Sequence, residues 1–439
     1  MSPVNLADQT ADAAPIGRQH VPSREALADV KGALKNEHQP RPLLIYVHIP
    51  FCSSKCTFCV WVAGIDTPQL RSPDEVRARY VQALTAQIEY LAPHLADIGY
   101  VPRCVYWGGG TPSILTPVQI ETIGDALQKN FDLSAVTEYS VESSPETLTA
   151  EKIRAFQAAG MNRLSIGVQS FDEAELRRAG RAHSPEDAQH AVRTARQQGC
   201  TNLNIDMITG FPKQTPEILA STLRTLLTLQ PEHVTCYTYV AIDRTVMARQ
   251  MRRGHLPASS AEQRAAAQDQ AHRALAADGY DEYMSMYYSI RPERSFAGES
   301  YYFDWHGDFV GFGSGAHSIL GHHLIGNKPG RLEEFISSPT VCDQHQKMGV
   351  GIALDASFKL LSLGRRLDFE RFRAKFGFDV DAVLNHRHMR ATRALLDRLE
   401  RPLVVTSTEA YVSAPETGWH GGELIRLTDK AASLMPAAR

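Results

Sequence analysis

Three cysteines, Cys52, Cys56 and Cys59, follow directly on the apolar run from Leu43 to Pro50. Thiolates separated by three residues and then two can gather on one face of a small metal cluster, and three of them leave one iron of a [4Fe–4S] cube without a protein ligand. An open iron is what chemistry on a bound small molecule needs. A zinc site asks for four ligands, commonly as two separated pairs, and the chain has no second Cys-x-x-Cys. His48 would complete a Cys3His set, and disulfide use is the other option the spacing leaves open.

Other residue types with chemical capacity recur downstream. Gly108-Gly109-Gly110-Thr111-Pro112 stands between a strand-like run and a helix opening, where missing Cβ atoms permit close backbone approach; a tight structural turn is the plain alternative. Glu142, Gln169, Arg181 and Asp206 fall at the ends of successive units of the chain. Any one alone would be a solvated or capping residue, whereas together they form a mixed acidic, basic and amide set suited to a polar small molecule.

The string YVHIPFCSSKCTFC, from Tyr46 to Cys59, resembles the radical S-adenosylmethionine (SAM) superfamily, and within it the oxygen-independent coproporphyrinogen III dehydrogenase-like family. The resemblance continues through Trp107 to Pro112, Glu142, RLSIGVQSFD from Arg163, Gly180-Arg181-Ala182-His183, NIDMITGFPKQT from Asn202 and GFGSGAHS from Gly311, all in the family's order. It implies Cys52, Cys56 and Cys59 as ligands of a [4Fe–4S] cluster. It also implies Tyr46 and Phe58 beside SAM, with Phe58 against the adenine, and Gly108, Gly109, Gly110 and Thr111 at the methionyl group. Glu142 and Asp206 are implied in polar or ribose contacts, Gln169 at the ribose and Arg181 at the carboxylate. The reaction implied is reductive cleavage of SAM to methionine and a 5′-deoxyadenosyl radical that abstracts hydrogen, fed by an electron donor such as flavodoxin or ferredoxin.

Within the family one position discriminates. Coproporphyrinogen dehydrogenases carry a further cysteine two residues after the third; here that place is Trp61, and the continuation CVWVAG resembles the class C radical SAM methyltransferase branch. That branch uses two SAM molecules and transfers a methyl or methylene group to an sp2 carbon, giving methylation or cyclopropanation of a small-molecule or natural-product substrate. The second SAM is expected near Gly109 to Thr111, Met207 and Ile208, with Glu282, Tyr283, Glu299 and Tyr301 as candidate bases. Two alternatives stand beside it: haem-pathway enzymology, meaning coproporphyrinogen dehydrogenation or radical haem opening, and a haem chaperone, for which His306 and His317 are candidate axial ligands.

The rest of the chain reads as the support for these residues. At 439 residues with a net charge of -3, it exceeds a single typical domain and shows no basic bias toward nucleic acid or anionic membrane. No run of eighteen apolar residues occurs, the amino terminus lacks a basic region followed by an apolar core, and Cys104, Cys200, Cys236 and Cys342 are scattered singly. These features lead to the expectation of a cytoplasmic protein, read as a monomer, with no membrane or nucleic-acid partner.

Short apolar strands alternate with capped amphipathic helices. The expected strands are Leu43 to Ile49, Cys104 to Tyr106, Glu138 to Glu142, Arg163 to Gly167, Asn202 to Ile208 and His233 to Tyr239, with helices opening at Ser72, Thr116, Thr149, Ser184 and Thr215. Alternation of this kind implies parallel strands with right-handed crossovers. It matches the six-unit partial TIM-like barrel that the resemblance implies, an α/β fold whose active site lies at the carboxyl ends of the strands. Residues 1–40 read as an arm, and 41–338 as the barrel with an aromatic-rich extension from Tyr287 to Phe312, a plausible wall for a flat substrate. Residues 339–439 read as a mainly helical, winged-helix-like domain with short β-like runs at Leu403 to Val405 and Leu424 to Leu427.

Overall fold

A computed structural model describes residues 21–35, 40–59, 73–302, 304–327, 332–414 and 421–426. The amino-terminal helix α1 (Ser23–Ala33) precedes a series of strand and helix pairs: β1 (Arg41–Ile49), α2 (Pro73–Ile98), β2 (Tyr100–Gly109), α3 (Pro117–Asn130), β3 (Glu138–Ser143) and α4 (Ala150–Ala158). The series continues with β4 (Arg163–Gln169), α5 (Glu173–Ala179), α6 (Pro185–Gln197), β5 (Leu203–Thr209), α7 (Pro216–Thr228) and β6 (His233–Thr238). All six expected strands are present. The caps are as the sequence implies: Thr116 and Ser184 form capping boxes with Gln119 and Asp187, and Thr149 and Thr215 each accept from the third following amide. Ser72 lies outside the described residues.

After β6 come α8 (Val246–Arg252), α9 (Ala261–Ala277), the antiparallel pair β7 (Asp281–Met284) and β8 (Tyr287–Ser289), then β9 (Asp308–Phe312), β10 (His317–Leu320), β11 (His323–Gly326) and β12 (Gln344–Lys347). The strands form one twelve-stranded sheet in the order β12-β11-β10-β9-β1-β2-β3-β4-β5-β6-β8-β7. β9 pairs parallel to β1, so seven parallel strands run together and antiparallel strands extend both edges. The aromatic-rich stretch, expected only as a wall, thus supplies a barrel strand of its own. The sheet runs on to Lys347, past the change of texture at residue 339.

The strands divide their faces by parity, because successive side chains point to opposite sides. Leu43, Ile45, Val47, Val105, Trp107, Val141, Leu164, Ile166, Leu203, Ile205, Val234 and Cys236 are all buried within one large core. Tyr80, Leu84 and Ile88 of α2 join them, each contributing roughly 1.5–3 kcal/mol of burial. The opposite parity carries Tyr46, Tyr106, Glu142, Arg163, Ser165, Asn204, Asp206, His233 and Tyr237. The helix side is apolar and the lumen is polar and aromatic.

The carboxyl-terminal part packs α10 (Val350–Ser362), α11 (Phe369–Phe376) and α12 (Arg387–Arg398) with a three-stranded sheet made of Leu367–Asp368, Leu403–Val405 and Glu409–Val412 around a second core. The expected β-like run at Leu424 is instead helical over 421–426, with Leu424 buried, while residue 427 lies outside the described residues. Gly421 closes on Gln268 of α9 and Arg426 pairs with Asp269, so this segment is docked on a helix rather than on a sheet edge. Lys375 and Asp308 form a buried ion pair at 2.5 Å between α11 and β9, with the Tyr100 hydroxyl also donating to Asp308. No helix among the described residues is long and apolar enough to cross a membrane.

Candidate active site

The cysteine loop leaves the end of β1 and is fastened to elements far along the chain. The Thr57 amide donates to the Ala179 carbonyl at 2.8 Å, the Thr57 hydroxyl to the Arg178 carbonyl at 2.8 Å, and Ser54 to the Gly180 carbonyl at 3.2 Å. From the other side the Met247 amide of α8 donates to the Thr57 carbonyl at 2.8 Å. Gly180 ends α5 at φ +72°, and a Cβ there would come within 3.1 Å of the Lys55 carbonyl oxygen. Phe58 packs its ring on Phe211, beside Ile208, Tyr239 and Met247.

Around the sulfurs stand hydrogen-bond donors. Thr111 Oγ1 lies 3.4 Å from Cys52 Sγ, and Arg181 Nη1 3.3 Å from Cys56 Sγ. The other Arg181 nitrogen, Nη2, donates to Ser144 Oγ at 2.7 Å and to the Gly167 carbonyl at 2.5 Å, while Nε is buried with no partner. Burial pushes the Cys52 thiol up to about 12; the Thr111 hydrogen bond and the Arg181 charge oppose this and Cys59 and Cys56 add to it. Among the described residues no three His, Cys, Asp or Glu side chains converge on one point as a single ion asks. A four-iron cube offers each thiolate its own iron, so three neighbouring thiols flanked by donors to sulfur fit that group. Arg181 belongs to the connection after α5 rather than to a strand end.

The second half of the site is the lumen under this loop. Gly109 has φ +100°, and a Cβ on it would lie 2.4 Å from the His48 ring; one on Gly108 would lie 2.9 Å from Glu142 Oε2. The Gly110 amide donates to the Ile49 carbonyl at 2.8 Å and that of Thr111 to Phe51 at 2.7 Å, which tie the glycine run to the start of the cysteine loop. Glu142 accepts from the Tyr106 hydroxyl and from the Gly109 amide, and its carboxyl is raised to about 7, chiefly by burial, with Asp206 adding to the shift. Tyr46 stacks on Tyr106 at 6.0 Å and its hydroxyl meets His48 Nδ1 at 2.9 Å. Burial, with His317 nearby, lowers His48 to about 4, so the ring is neutral.

Asp206 stands mid-strand on β5, facing the lumen, and takes hydrogen bonds from Asn204 at 2.8 Å and Ser165 at 3.0 Å. Gln169 ends β4 at a register shift with φ +73°, an unusual conformation for a non-glycine residue that turns it back beside Gly167. Met207 is buried in the helix-side core, so only its backbone borders the lumen. Glu282 is bonded to His272 of α9 at 2.8 Å and lies on the helix side. Tyr283 is at the barrel floor, where its hydroxyl contacts His233 at 2.8 Å.

Two further residues bear on the site: Phe296, from the aromatic-rich stretch expected as a wall, and Glu146, which was not foreseen from the sequence. Phe296 plugs the floor, 5.1 Å from the Tyr106 ring and 4.6 Å beneath the Arg163 guanidinium. Glu146 binds Ser53 of the cysteine loop at 2.6 Å and His183 at 3.2 Å. Despite the burial that opposes it, the hydrogen bonds from His183, Ser144 and Ser53 and the Arg181 charge hold that carboxyl well below the usual range. A small cleft lined by Tyr302, Trp305, His317, Met348, Ile352 and Phe376 among others lies between the barrel edge and the carboxyl-terminal helices.

The family model described as the radical SAM superfamily matches residues 46–226. The heme chaperone HemW of Escherichia coli (strain K12) is 32% identical over 280 residues, covering 63% of this chain and 70% of that protein. The oxygen-independent coproporphyrinogen III oxidase of Salmonella typhimurium is 31% identical over 357 residues, covering 77% and 75%. The solved structure of coproporphyrinogen III oxidase (HemN) from Escherichia coli, a radical SAM enzyme, superposes with a TM-score of 0.71 at 25% identity, over 94% of this chain and 93% of that one. With three loop thiols, donors to their sulfurs and a polar lumen beneath, the chain belongs to the family of oxygen-independent coproporphyrinogen III oxidases and heme chaperones within the radical SAM superfamily, whose cofactors are a [4Fe–4S] cluster and SAM.

Proposed function

We propose that this protein is a radical SAM enzyme of haem-pathway chemistry, acting on a substrate of the tetrapyrrole class held in the lumen. The observation that carries this reading is kinship: relatives bearing the names coproporphyrinogen III oxidase and heme chaperone align over most of their own length. The lumen supports it, since Tyr46, Tyr106 and Phe296 form a continuous aromatic wall beside Glu142.

In this reading Cys52, Cys56 and Cys59 hold the cluster, and SAM bound there supplies a 5′-deoxyadenosyl radical when it is reduced. The chain's own residues position and seclude. Gly108, Gly109, Gly110 and Thr111 present backbone to the methionyl end, and Glu142 offers its ammonium a carboxylate. Arg181 faces the methionyl carboxylate, Gln169 and Asp206 the ribose, and Phe58 with Ile208 the adenine.

A second reading is favoured by Trp61, which occupies the place of the further cysteine: transfer of a methyl or methylene group from a second SAM to an sp2 carbon. Anaerobic turnover with SAM deuterated on its methyl group separates the two, with coproporphyrinogen III and haem each offered as substrate. The haem-pathway reading expects substrate-dependent, unlabelled 5′-deoxyadenosine and no S-adenosylhomocysteine. Deuterium in 5′-deoxyadenosine together with S-adenosylhomocysteine would replace it with methyl transfer. Stable haem binding without a modified product would replace it with a carrier role.

A further inference from the structure

Reductive cleavage of a sulfonium takes in one electron per event, and that electron reaches the chain from outside. We infer that the face presenting the cysteine loop is a docking surface for an acidic one-electron carrier protein, recognised by the arginines of α8. The carrier would arrive reduced and leave one electron poorer, with no proton or group exchanged at the surface.

The location follows from the fastening of the loop. The Met247 amide at the start of α8 is bonded to the Thr57 carbonyl, between Cys56 and Cys59. Seven helical residues extend about 10 Å, so every residue of α8 is held near the cysteines. Arg249 and Arg252 of α8 and Arg253 at its carboxyl-terminal cap stand at spacings of three and four from Arg249, on one side of the helix, and all three are exposed. Arg244 just before the helix and Lys55 within the loop are exposed as well.

Acids described beside this face are already engaged: Glu146 contacts Ser53 of the loop at 2.6 Å and His183 at 3.2 Å. Asp243 pairs with Arg252 at 2.6 Å, and Glu173 pairs with Arg177 at 2.9 Å. Among the described residues Lys55, Arg244, Arg249 and Arg253 make no ion pair, which leaves the face cationic on a chain whose net charge is -3. Charge opposite in sign to the molecule's total and gathered at the point of electron entry is suited to steering a partner of the other sign. Brief redox encounters rest on small interfaces, where such steering dominates over buried area.

The proposal uses superfamily membership and does not depend on the substrate. Its test compares wild type with the triple variant R249E/R252E/R253E and the charge-keeping R249K/R252K/R253K, each as the full chain. Flavodoxin serves as the carrier probe and dithionite as the small-molecule reductant. Flavodoxin binding is measured by calorimetry at low and high salt, and 5′-deoxyadenosine formation is measured with each reductant.

Charge reversal is expected to weaken flavodoxin binding and slow the flavodoxin-driven rate by about tenfold or more. The lysine variant should stay near wild type, wild-type binding should weaken with salt, and the dithionite-driven rate should be unchanged. Unaltered flavodoxin binding in the reversed variant would overturn the inference. Equal loss with both reductants would also overturn it, because the arginines would then support the loop rather than a partner. Absence of SAM cleavage in wild type with dithionite would sink the enzymatic reading and leave the calorimetry to judge the surface.

Discussion

Glu142 offers a test that joins stability to the site. Burial, above all, holds its carboxyl near 7 against an ordinary 4.5, with the Tyr106 hydrogen bond opposing that rise. A folded state that keeps the proton more tightly than the unfolded chain is favoured in acid. The contribution is therefore lost progressively as pH climbs from 4.5 through 7. The full separation corresponds to about 3 kcal/mol, of which about 1.4 kcal/mol falls between pH 6 and about 8.5.

Glu142→Gln keeps the shape and an acceptor for Tyr106 but has nothing to ionise. Denaturant unfolding of anaerobic, SAM-free protein at pH 6, 7 and about 8.5 should show the variant gaining on wild type by about that amount across the window. The same subtraction cancels His48, His233 and the other buried groups common to both proteins. If SAM's ammonium neighbours this carboxylate, SAM binding below pH 7 should release a proton in wild type and none in the variant, measurable by calorimetry in buffers of different ionisation heat. Parallel stability curves would refute the claim that Glu142 is held protonated by burial.

Two further outcomes are expected. Gly109→Ala must accommodate a Cβ 2.4 Å from the His48 ring at φ +100°, so it should lower stability by roughly 1–3 kcal/mol and weaken SAM binding, read by thermal unfolding and equilibrium dialysis. Lys375→Met strands the buried Asp308 and should cost about 3–5 kcal/mol. The double variant K375M/D308N should recover part of that in denaturant titrations.

The barrel was legible because each strand carries its division in its letters. Glu138, Ser140 and Glu142 alternate with Tyr139 and Val141, and Asn204 and Asp206 with Leu203, Ile205 and Met207. The capping threonines and serines marked the helix starts. β9 was not legible: Asp308–Phe312 is five residues inside a run of aromatics, and it becomes a strand by pairing with β1, across more than 250 intervening residues.

Arg181 could be linked to the site by resemblance, but its reach to Cys56 depends on the left-handed turn at Gly180. Phe296 was readable only as one member of the aromatic-rich stretch, and Tyr106 gave no signal of its own, because aromatic residues are ordinary in cores. Parity would have found Tyr106, which shares the lumen side with Gly108 on β2. Leu424 was misplaced since a short apolar run has no periodicity that separates strand from helix.

The fastening of the cysteine loop also sets an order of assembly. Thr57 is secured by Arg178, 121 residues later, and by Met247 later still. A chain emerging from the ribosome therefore exposes its three thiols long before the segments that hold them exist. Closing so long a loop carries an entropic cost that is met only when the intervening strands have paired. If these thiols hold the cluster as proposed, iron loading is expected late in the life of the polypeptide, after most of the barrel has formed, with the thiols kept reduced through the interval.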